Sequence, residues 1–271
     1  MACALFLCAS PAGADVISDW NVLTGQRVGA SDPARRGPSA SLDFAMVHLA
    51  MHDAVQAFER RYQPYCVSVS NPSGSPVAAA ASAARDVLVG LFGTQPGQTS
   101  AIHAAYTALT ATYIDEGLMV ANDTGQLVGQ AAARCILDRR LAEDNARRAT
   151  PDSFRGGSLP GAWRPTVPSN ASMAADFMAR TTPFAMNTPD QFRRRTPPPH
   201  LTSGAYAKAY NEVKEKGGSE LSGHTRSVAE TQVGLFFAAG PGSYWNRLRA
   251  PSSSVNRWTS ATAPGCPRWS P

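Results

Sequence analysis

Two histidines and an aspartate stand close together in the strongest helical segment of the chain. His48 and His52 are four residues apart, and Asp53 follows directly. On a helix this spacing places both imidazoles on one face, as helical metal sites do. No metalloprotease glutamate lies between them, and no patterned third ligand accompanies them. A metal site is thus the less favoured of two interpretations. We expect the imidazoles to pack and hydrogen-bond in a helical core, with Asp53 a buried partner for a loop N–H group or an arginine.

Two small-residue turns resemble parts of phosphate-binding loops, because consecutive N–H groups in such turns bind oxyanions. They are residues 71–74, Asn-Pro-Ser-Gly, and residues 222–224, Ser-Gly-His. Neither turn has a lysine or arginine at the spacing that a phosphate-binding loop would need. We interpret both as turns that lead into helices.

The basic residues are unevenly distributed. The net charge is +5, and the chain has 22 arginines but three lysines. Arginine pairs and triplets occur at 35–36, 147–148 and 193–195, with no aromatic residues between them. They indicate a solvated surface, and we expect no nucleic-acid partner. Nucleophile-elbow, Walker and dinucleotide-binding motifs are absent from the sequence, and carboxylates are scattered. We therefore assign no catalytic, cofactor-binding or metal residue.

The elements that would position these residues are helical. Six helices are predicted, and with 43% hydrophobic residues the chain can bury a sizeable core. They are 39–61 capped by Ser39 or Ser41, 77–92 ending at Gly93, one capped by Thr99 or Ser100, one from about Val120 to Leu141, one from Ser203 to Gly217, and one capped by Thr225. Only residues 65–70 are strand-like. We predict an all-α helical bundle in which residues 145–200 form a long proline-rich wrapping loop.

The two ends of the chain differ from its middle. Residues 1–14 resemble the remnant of a signal peptide with cleavage before Asp15, so we expect export to the periplasm or the exterior. The alternative is a frayed hydrophobic N-terminus. Residues 249–271 are rich in proline and serine and show no periodicity, which indicates a disordered or out-of-frame tail.

Cleavage would leave an odd number of cysteines, Cys66, Cys135 and Cys266. With no Cys-x-x-Cys spacing among them, neither a disulfide framework nor a zinc site is indicated. No apolar run is long enough for a transmembrane helix.

An ordered series of stretches across residues 15–248 carries a resemblance to a known family. The stretches are DVISDWN (15–21), AMVHLAMHDAVQAF (45–58), YQPY (62–65), GAWRPT (161–166), TTPFAMNTPDQFR (181–193), PPPHLTSGAYAKAYNEVKEKG (197–217) and TRSVAETQVGLFFAAGPGSYWN (225–246). In this order they resemble the N-terminal half of bacterial vanadium-dependent haloperoxidase-like proteins. That family belongs to the superfamily of type-2 phosphatidic acid phosphatases and bacterial acid phosphatases.

The resemblance implies an all-α bundle whose oxyanion site lies in a C-terminal half. The family builds that site from Lys-x6-Arg-Pro, Pro-Ser-Gly-His and Ser-Arg-x5-His, whose cationic and N–H groups neutralise vanadate or phosphate oxygens. Here Arg164-Pro165 has Gly157 in the lysine position, Leu221 precedes Ser222, and no Ser-Arg dipeptide exists. No family residue can be carried over as catalytic, and we expect no cofactor in this chain. The parent would hold vanadate for halide oxidation, or hydrolyse phosphoesters.

These observations predict a truncated family member, cut short after Leu248 by a frameshift or by a gene-calling or assembly error. Its partner would be the missing C-terminal half or a complementing chain, and a homo-oligomer is possible. A half-bundle should expose the apolar stripe of the last helix, which includes Leu235, Phe236 and Phe237. The alternative is an exported, non-enzymatic helical binding module in which residues 145–200 contact a partner.

Overall fold

The protein is all-helical in the part of the chain that the computed structural model describes. That part comprises residues 15–31, 37–149, 154, 156–167, 169–173, 175–194, 196–218 and 223–238. The predicted signal remnant, the predicted tail and Arg35-Arg36 lie outside it. The α-helices are α1 (Val16–Gly29), α2 (Pro38–Glu59), α3 (Pro76–Phe92), α4 (Gln98–Asp115), α5 (Gly125–Ala149), α6 (Gly204–Lys216) and α7 (Val228–Ala238), with one 3-10 turn at Asp176–Arg180.

Helices α1 to α5 share one hydrophobic core. Alanine-rich α3 lies at its centre and packs against α1, α2, α4 and α5. Small residues allow α3 and α5 to pack closely. A Cβ atom on Gly129 would collide with the carbonyl oxygen of Ala79, so only glycine fits at that point. The largest fully buried side chains are Trp20, Tyr113, Phe92, Met46 and Met51.

Helix α1 has no counterpart among the predicted helices. The carboxylate of Asp15 caps it by accepting a hydrogen bond from the N–H of Ile17 at 3.1 Å. Its buried side chains include polar Asn21 and Thr24 beside Trp20 and Leu23. Because polar and apolar residues share the buried face, the sequence lacks the clean apolar periodicity that marks a helix.

Helix α6 and the end of α3 agree with prediction, but several helix starts differ. Ser203 caps α6, and its hydroxyl accepts a hydrogen bond from the N–H of Tyr206. The N-cap residues of α2 and α4 are glycines, Gly37 and Gly97, rather than the predicted serine or threonine residues. Both glycines have positive φ, which other residues rarely adopt.

The fourth predicted helix begins later than expected and is longer. It starts at Gly125 rather than near Val120, because the carboxylate of Asp123 accepts hydrogen bonds from the N–H groups of Val120 and Gly125 and holds a turn there. It then continues to Ala149, so the first residues of the predicted wrapping loop are helical.

Helix α7 begins at Val228, and the predicted cap at Thr225 was wrong. Ser227 and Glu230 exchange hydrogen bonds in a capping box: the Ser227 N–H donates to the Glu230 carboxylate, and the Glu230 N–H donates to the Ser227 hydroxyl. The Ser227 N–H and the Lys216 ammonium lower the pKa of Glu230 to about 2. The Lys216–Glu230 ion pair, with an Nζ to Oε1 distance of 3.0 Å, ties α6 to α7.

The pair α6–α7, called here the terminal hairpin (residues 204–238), differs from the core helices. Neither of its helices buries a residue among the residues described. The apolar residues of α7 are mostly solvent-exposed, with Leu235 at 69%, Phe236 at 50% and Phe237 at 57%. The predicted exposure of this stripe is confirmed.

Candidate functional site

Asp53 anchors the loop that follows α2. Its buried carboxylate accepts hydrogen bonds from three consecutive backbone N–H groups, those of Tyr65 at 2.6 Å, Cys66 at 2.7 Å and Val67 at 3.0 Å. The prediction that Asp53 is a buried partner for loop N–H groups is confirmed. Residues 65–70 were expected to be strand-like, and that was wrong: they form no strand, because the Asp53 carboxylate takes the N–H groups that a strand would pair.

The two histidines hydrogen-bond within the helical core region. Nε2 of His48 lies 2.9 Å from Oδ1 of Asn21 on α1, and the ring stacks near Phe44. Nδ1 of His52 lies 3.1 Å from Oδ1 of Asp53, and the His52 side chain is 35% exposed. Within the part of the chain that the structure describes, no group of three metal-ligating residues of the His, Cys, Asp or Glu type comes together.

Cys66 and Cys135 form a disulfide, with their Cα atoms 5.9 Å apart. The sequence-based interpretation against a disulfide framework was wrong. It rested on an odd cysteine count and on local spacing, whereas this pair is separated by 69 residues. The pair meets because Asp53 draws the loop after α2 against α5, which packs on α2. The bond therefore links the loop that Asp53 anchors covalently to α5.

Arg140 on α5 organises a second junction one helical turn from the disulfide. Its side chain is 6% exposed, and its guanidinium donates hydrogen bonds to the carbonyl oxygens of Thr182 and Pro183 and to the hydroxyl of Tyr65. It also lies 3.9 Å from the ring centroid of Phe184. Every one of these contacts holds a loop in place. Part of the predicted wrapping loop thus packs on α5 through a buried arginine.

The predicted phosphate-like turns have structural roles where they are described. In residues 71–74 the turn packs against Asp123, whose Oδ1 accepts a hydrogen bond from the N–H of Ser75 at 2.8 Å. A Cβ atom on Gly74 would collide with that carboxylate, so glycine is required there. Ser222 lies outside the described residues, and His224 is exposed beside α6.

The lysines of α6 and two arginines of the proline-rich segment lie in exposed parts of the described chain. Lys216 is paired with Glu230, and α6, which also carries Lys208 and Lys214, has no buried residue. Arg164 and Arg193 are solvent-exposed in the proline-rich segment. Since a tight oxyanion site needs buried, convergent donors, these residues do not fit vanadate.

Comparisons with known proteins leave the family open. Neither the family models nor the curated proteins nor the solved structures yielded a match to this chain. Over the described residues, no helix combines the length and apolar character needed to cross a membrane.

Sequence reasoning missed the junction made by Tyr65, Cys66, Cys135 and Arg140. One signal was present: Cys135 and Arg140 lie on one predicted helix, and Tyr65 and Cys66 are neighbours. No local sequence pattern, however, indicates that these two segments are adjacent in space. The contact follows from the packing of α5 against α2.

Proposed function

We propose that this chain is the N-terminal helical half of a vanadium-dependent haloperoxidase-like protein. In this proposal its role is structural. Helices α1 to α5 form a scaffold, and the terminal hairpin offers a docking surface for the helices that carry the oxyanion site. The scaffold itself contributes no residue to halide oxidation or phosphoester hydrolysis.

The observation that carries the proposal is the set of exposed apolar residues on α7. A soluble domain rarely leaves a helix this apolar in solvent, because burial of apolar area is worth about 25 cal/mol per Å². The exposed residues are Val228, Val233, Leu235, Phe236 and Phe237. Helix α7 also lies within residues 225–246, the last stretch of the series that resembles the family, and in the family the oxyanion-site helices follow that stretch. The all-helical architecture agrees with the same resemblance.

Export is also part of the proposal. Disulfides persist in oxidising compartments and are rare in reducing ones. The Cys66–Cys135 bond supports an exported protein, in agreement with the signal-like residues 1–14.

The first experiment is to resequence the gene across and beyond the codon for Leu248. If a corrected frame or a neighbouring gene encodes Lys-x6-Arg-Pro and Pro-Ser-Gly-His, that segment can be co-expressed with this chain. We expect the two to co-purify and, together, to bind vanadate, as measured by 51V NMR. A locus that encodes neither motif would overturn the proposal.

A matched pair of variants tests the docking surface. Phe236→Ser combined with Phe237→Ser should abolish co-purification. Phe192→Ser should not, although Phe192 is 77% exposed, because it lies in the proline-rich segment outside the hairpin. Equal loss in both variants, or no loss in either, would contradict docking through α7.

A binding module is the second candidate, and one observation favours it. Helices α1 to α5 form a shared core without help from the terminal hairpin. A monodisperse monomer at high concentration, with no binding of a hydrophobic dye, would favour the module. Self-association that the Phe236→Ser, Phe237→Ser variant relieves would favour the half-domain instead.

A further inference from the structure

Two neighbouring arginines lie where a protease can reach the backbone of the chain. Residues 185–194 and 196–202, called here the linker, are all solvent-exposed and contain no helix or strand. Arg193 and Arg194 lie within the linker, between the Arg140 junction and the terminal hairpin. Exposed segments with polar residues and no regular structure are the preferred places for proteolytic cleavage.

The turns around this arginine pair are held by few hydrogen bonds. The Gln191 N–H donates to the Thr188 carbonyl at 3.2 Å, and the Arg193 N–H donates to the Asp190 carbonyl at 2.9 Å. Because the residues are exposed, water can replace both bonds when the turns open, and opening costs little free energy. The backbone can therefore adopt the extended form in which a serine protease binds its substrate.

Exposure alone does not define the site, because Arg60 and Arg61 form a second exposed pair. The backbone of that second pair is fixed. The Arg60 N–H donates to the Gln56 carbonyl at 3.0 Å. The buried Gln56 side-chain oxygen accepts from the N–H groups of Arg61 at 2.9 Å and Tyr62 at 2.7 Å. An extended backbone here would leave that buried oxygen without donors, so we expect protection from cleavage.

Other arginines of the proline-rich segment fit a protease less well. Arg164 precedes Pro165, whose ring removes the N–H and restricts the backbone after the bond to be cut. Arg180 pairs with Asp176 at 3.7 Å and is followed by the buried Thr181. Most of the remaining described lysines and arginines lie on helices, where cleavage requires local unfolding.

The hairpin that follows the linker is braced internally but packs little on the scaffold. The Thr225 N–H donates to the Glu215 carbonyl at 2.9 Å, and the Arg226 guanidinium donates to the Lys216 carbonyl. These bonds connect the end of α6 to the start of α7. Neither helix buries a residue among the residues described. Cutting the linker should therefore free the hairpin, because little packing would hold it on the scaffold.

We propose that the Arg193–Arg194 pair is a processing site for an arginine-specific serine protease. The carboxylate in the specificity pocket of such a protease would bind the guanidinium of either arginine. Hydrolysis breaks the C–N peptide bond after that arginine. The hydroxyl of water goes to the carbonyl carbon and its proton to the nitrogen, which leaves a new carboxylate and a new amino terminus. Loss of the docking surface on cleavage rests on the proposed function, whereas the cleavage itself does not.

Limited digestion of the full chain with trypsin, followed over time by mass spectrometry, tests the site. Among the described lysines and arginines, we expect the first cleavage after Arg193 or Arg194, about tenfold or more faster than after Arg60 or Arg61. Gel filtration of the digest should then separate the hairpin fragment from the scaffold. Equal rates at the two arginine pairs, or fragments that elute together, would overturn the proposal.

A matched pair of variants distinguishes the site from general lability. Arg193→Gln, Arg194→Gln and Arg195→Gln together remove every arginine of the run. This triple variant should slow cleavage within the linker by about tenfold or more and leave the melting temperature unchanged, because exposed side chains contribute little stability. Arg60→Gln with Arg61→Gln should be digested in the linker like the unmodified chain. Unchanged linker cleavage in the triple variant, or equal slowing in both variants, would contradict the site.

Discussion

The guanidinium of Arg140 and the hydroxyl of Tyr65 are 2.9 Å apart, although 75 residues separate them in the chain. This hydrogen bond connects α5 to the loop that follows α2. The same guanidinium holds the carbonyls of Thr182 and Pro183, so three segments meet at one buried cation. Such a junction is sensitive to the loss of its centre, because three partly buried acceptors would lose their donor.

Arg140→Met should therefore destabilise the chain by about 2 kcal/mol in urea unfolding, since it removes the donor of three partly buried acceptors. Proteolysis should also become faster near residues 181–184, which lose their attachment to α5. Arg139→Met is the control. Arg139 is exposed and donates one hydrogen bond of 3.3 Å to the Tyr65 carbonyl, so a loss below about 1 kcal/mol is expected. Similar losses in both variants would argue against Arg140 as the centre.

Asp53→Asn should cost about 2–3 kcal/mol, because its amide cannot accept from all three N–H groups that converge on the carboxylate. Glu59→Gln on the same helix removes only an exposed carboxylate and should cost about 0.5 kcal/mol or less. Unfolding in urea measures both. An Asp53→Asn variant as stable as Glu59→Gln would show that the anchored loop does not depend on the charge.

Replacing both Cys66 and Cys135 by serine should lower the free energy of unfolding by about 4 kcal/mol, because the closed loop is long. The loop should nevertheless stay in place, since Asp53 holds it independently of the disulfide. Amide hydrogen exchange provides the measurement. The N–H groups of residues 65–67 should remain protected in the double variant, and loss of their protection would mean that the disulfide positions the loop.

Replacing a helical glycine by alanine should destabilise the chain at one position and stabilise it at another. Gly129→Ala should destabilise by about 2–3 kcal/mol, because the new Cβ atom would force α5 away from Ala79 on α3. Gly234 on α7 has open space around it, so alanine there should stabilise by about 0.5–1 kcal/mol through helix propensity. Thermal melts of the two variants give the comparison. A stabilising Gly129→Ala would contradict the close packing of α3 and α5.

Asp19 should make stability depend on pH in the acidic range. Burial raises the pKa of Asp19, and the hydrogen bond from Tyr113, at 3.0 Å, opposes that rise only in part. The folded chain therefore binds this proton more tightly than the unfolded chain does. Binding of this proton by Asp19 stabilises the folded chain. This contribution is complete below the pKa of Asp19 in the unfolded chain, about 3.9, and is lost as the pH rises through its higher pKa in the folded chain.

Asp19→Asn should remove this dependence while keeping an oxygen that accepts from Tyr113. Between about pH 4 and about pH 7, the unmodified chain should lose stability relative to the variant. Urea unfolding across that range checks the sign. A difference that is constant with pH, or that runs the other way, would mean that Asp19 titrates at or below its ordinary pKa.

The sequence by itself determined most of the helices. Apolar periodicity and turn residues located α2 to α7, and the apolar stripe of α7 correctly predicted an exposed face. Helix starts were predicted less well, because Gly37 and Gly97 begin helices through backbone conformation rather than through a side-chain cap. The residue type at a helix start does not by itself determine whether its φ angle is positive.

The role of Asp53 was predictable because a lone carboxylate in an apolar helix must find buried donors. Its three partners were not predictable, since they depend on the path of a loop 12–14 residues further along the chain. The Cys66–Cys135 bond and the Arg140 junction could not be predicted from the sequence and became evident only in the tertiary structure. They join segments far apart in sequence, and only the packing of α5 on α2 brings those segments together.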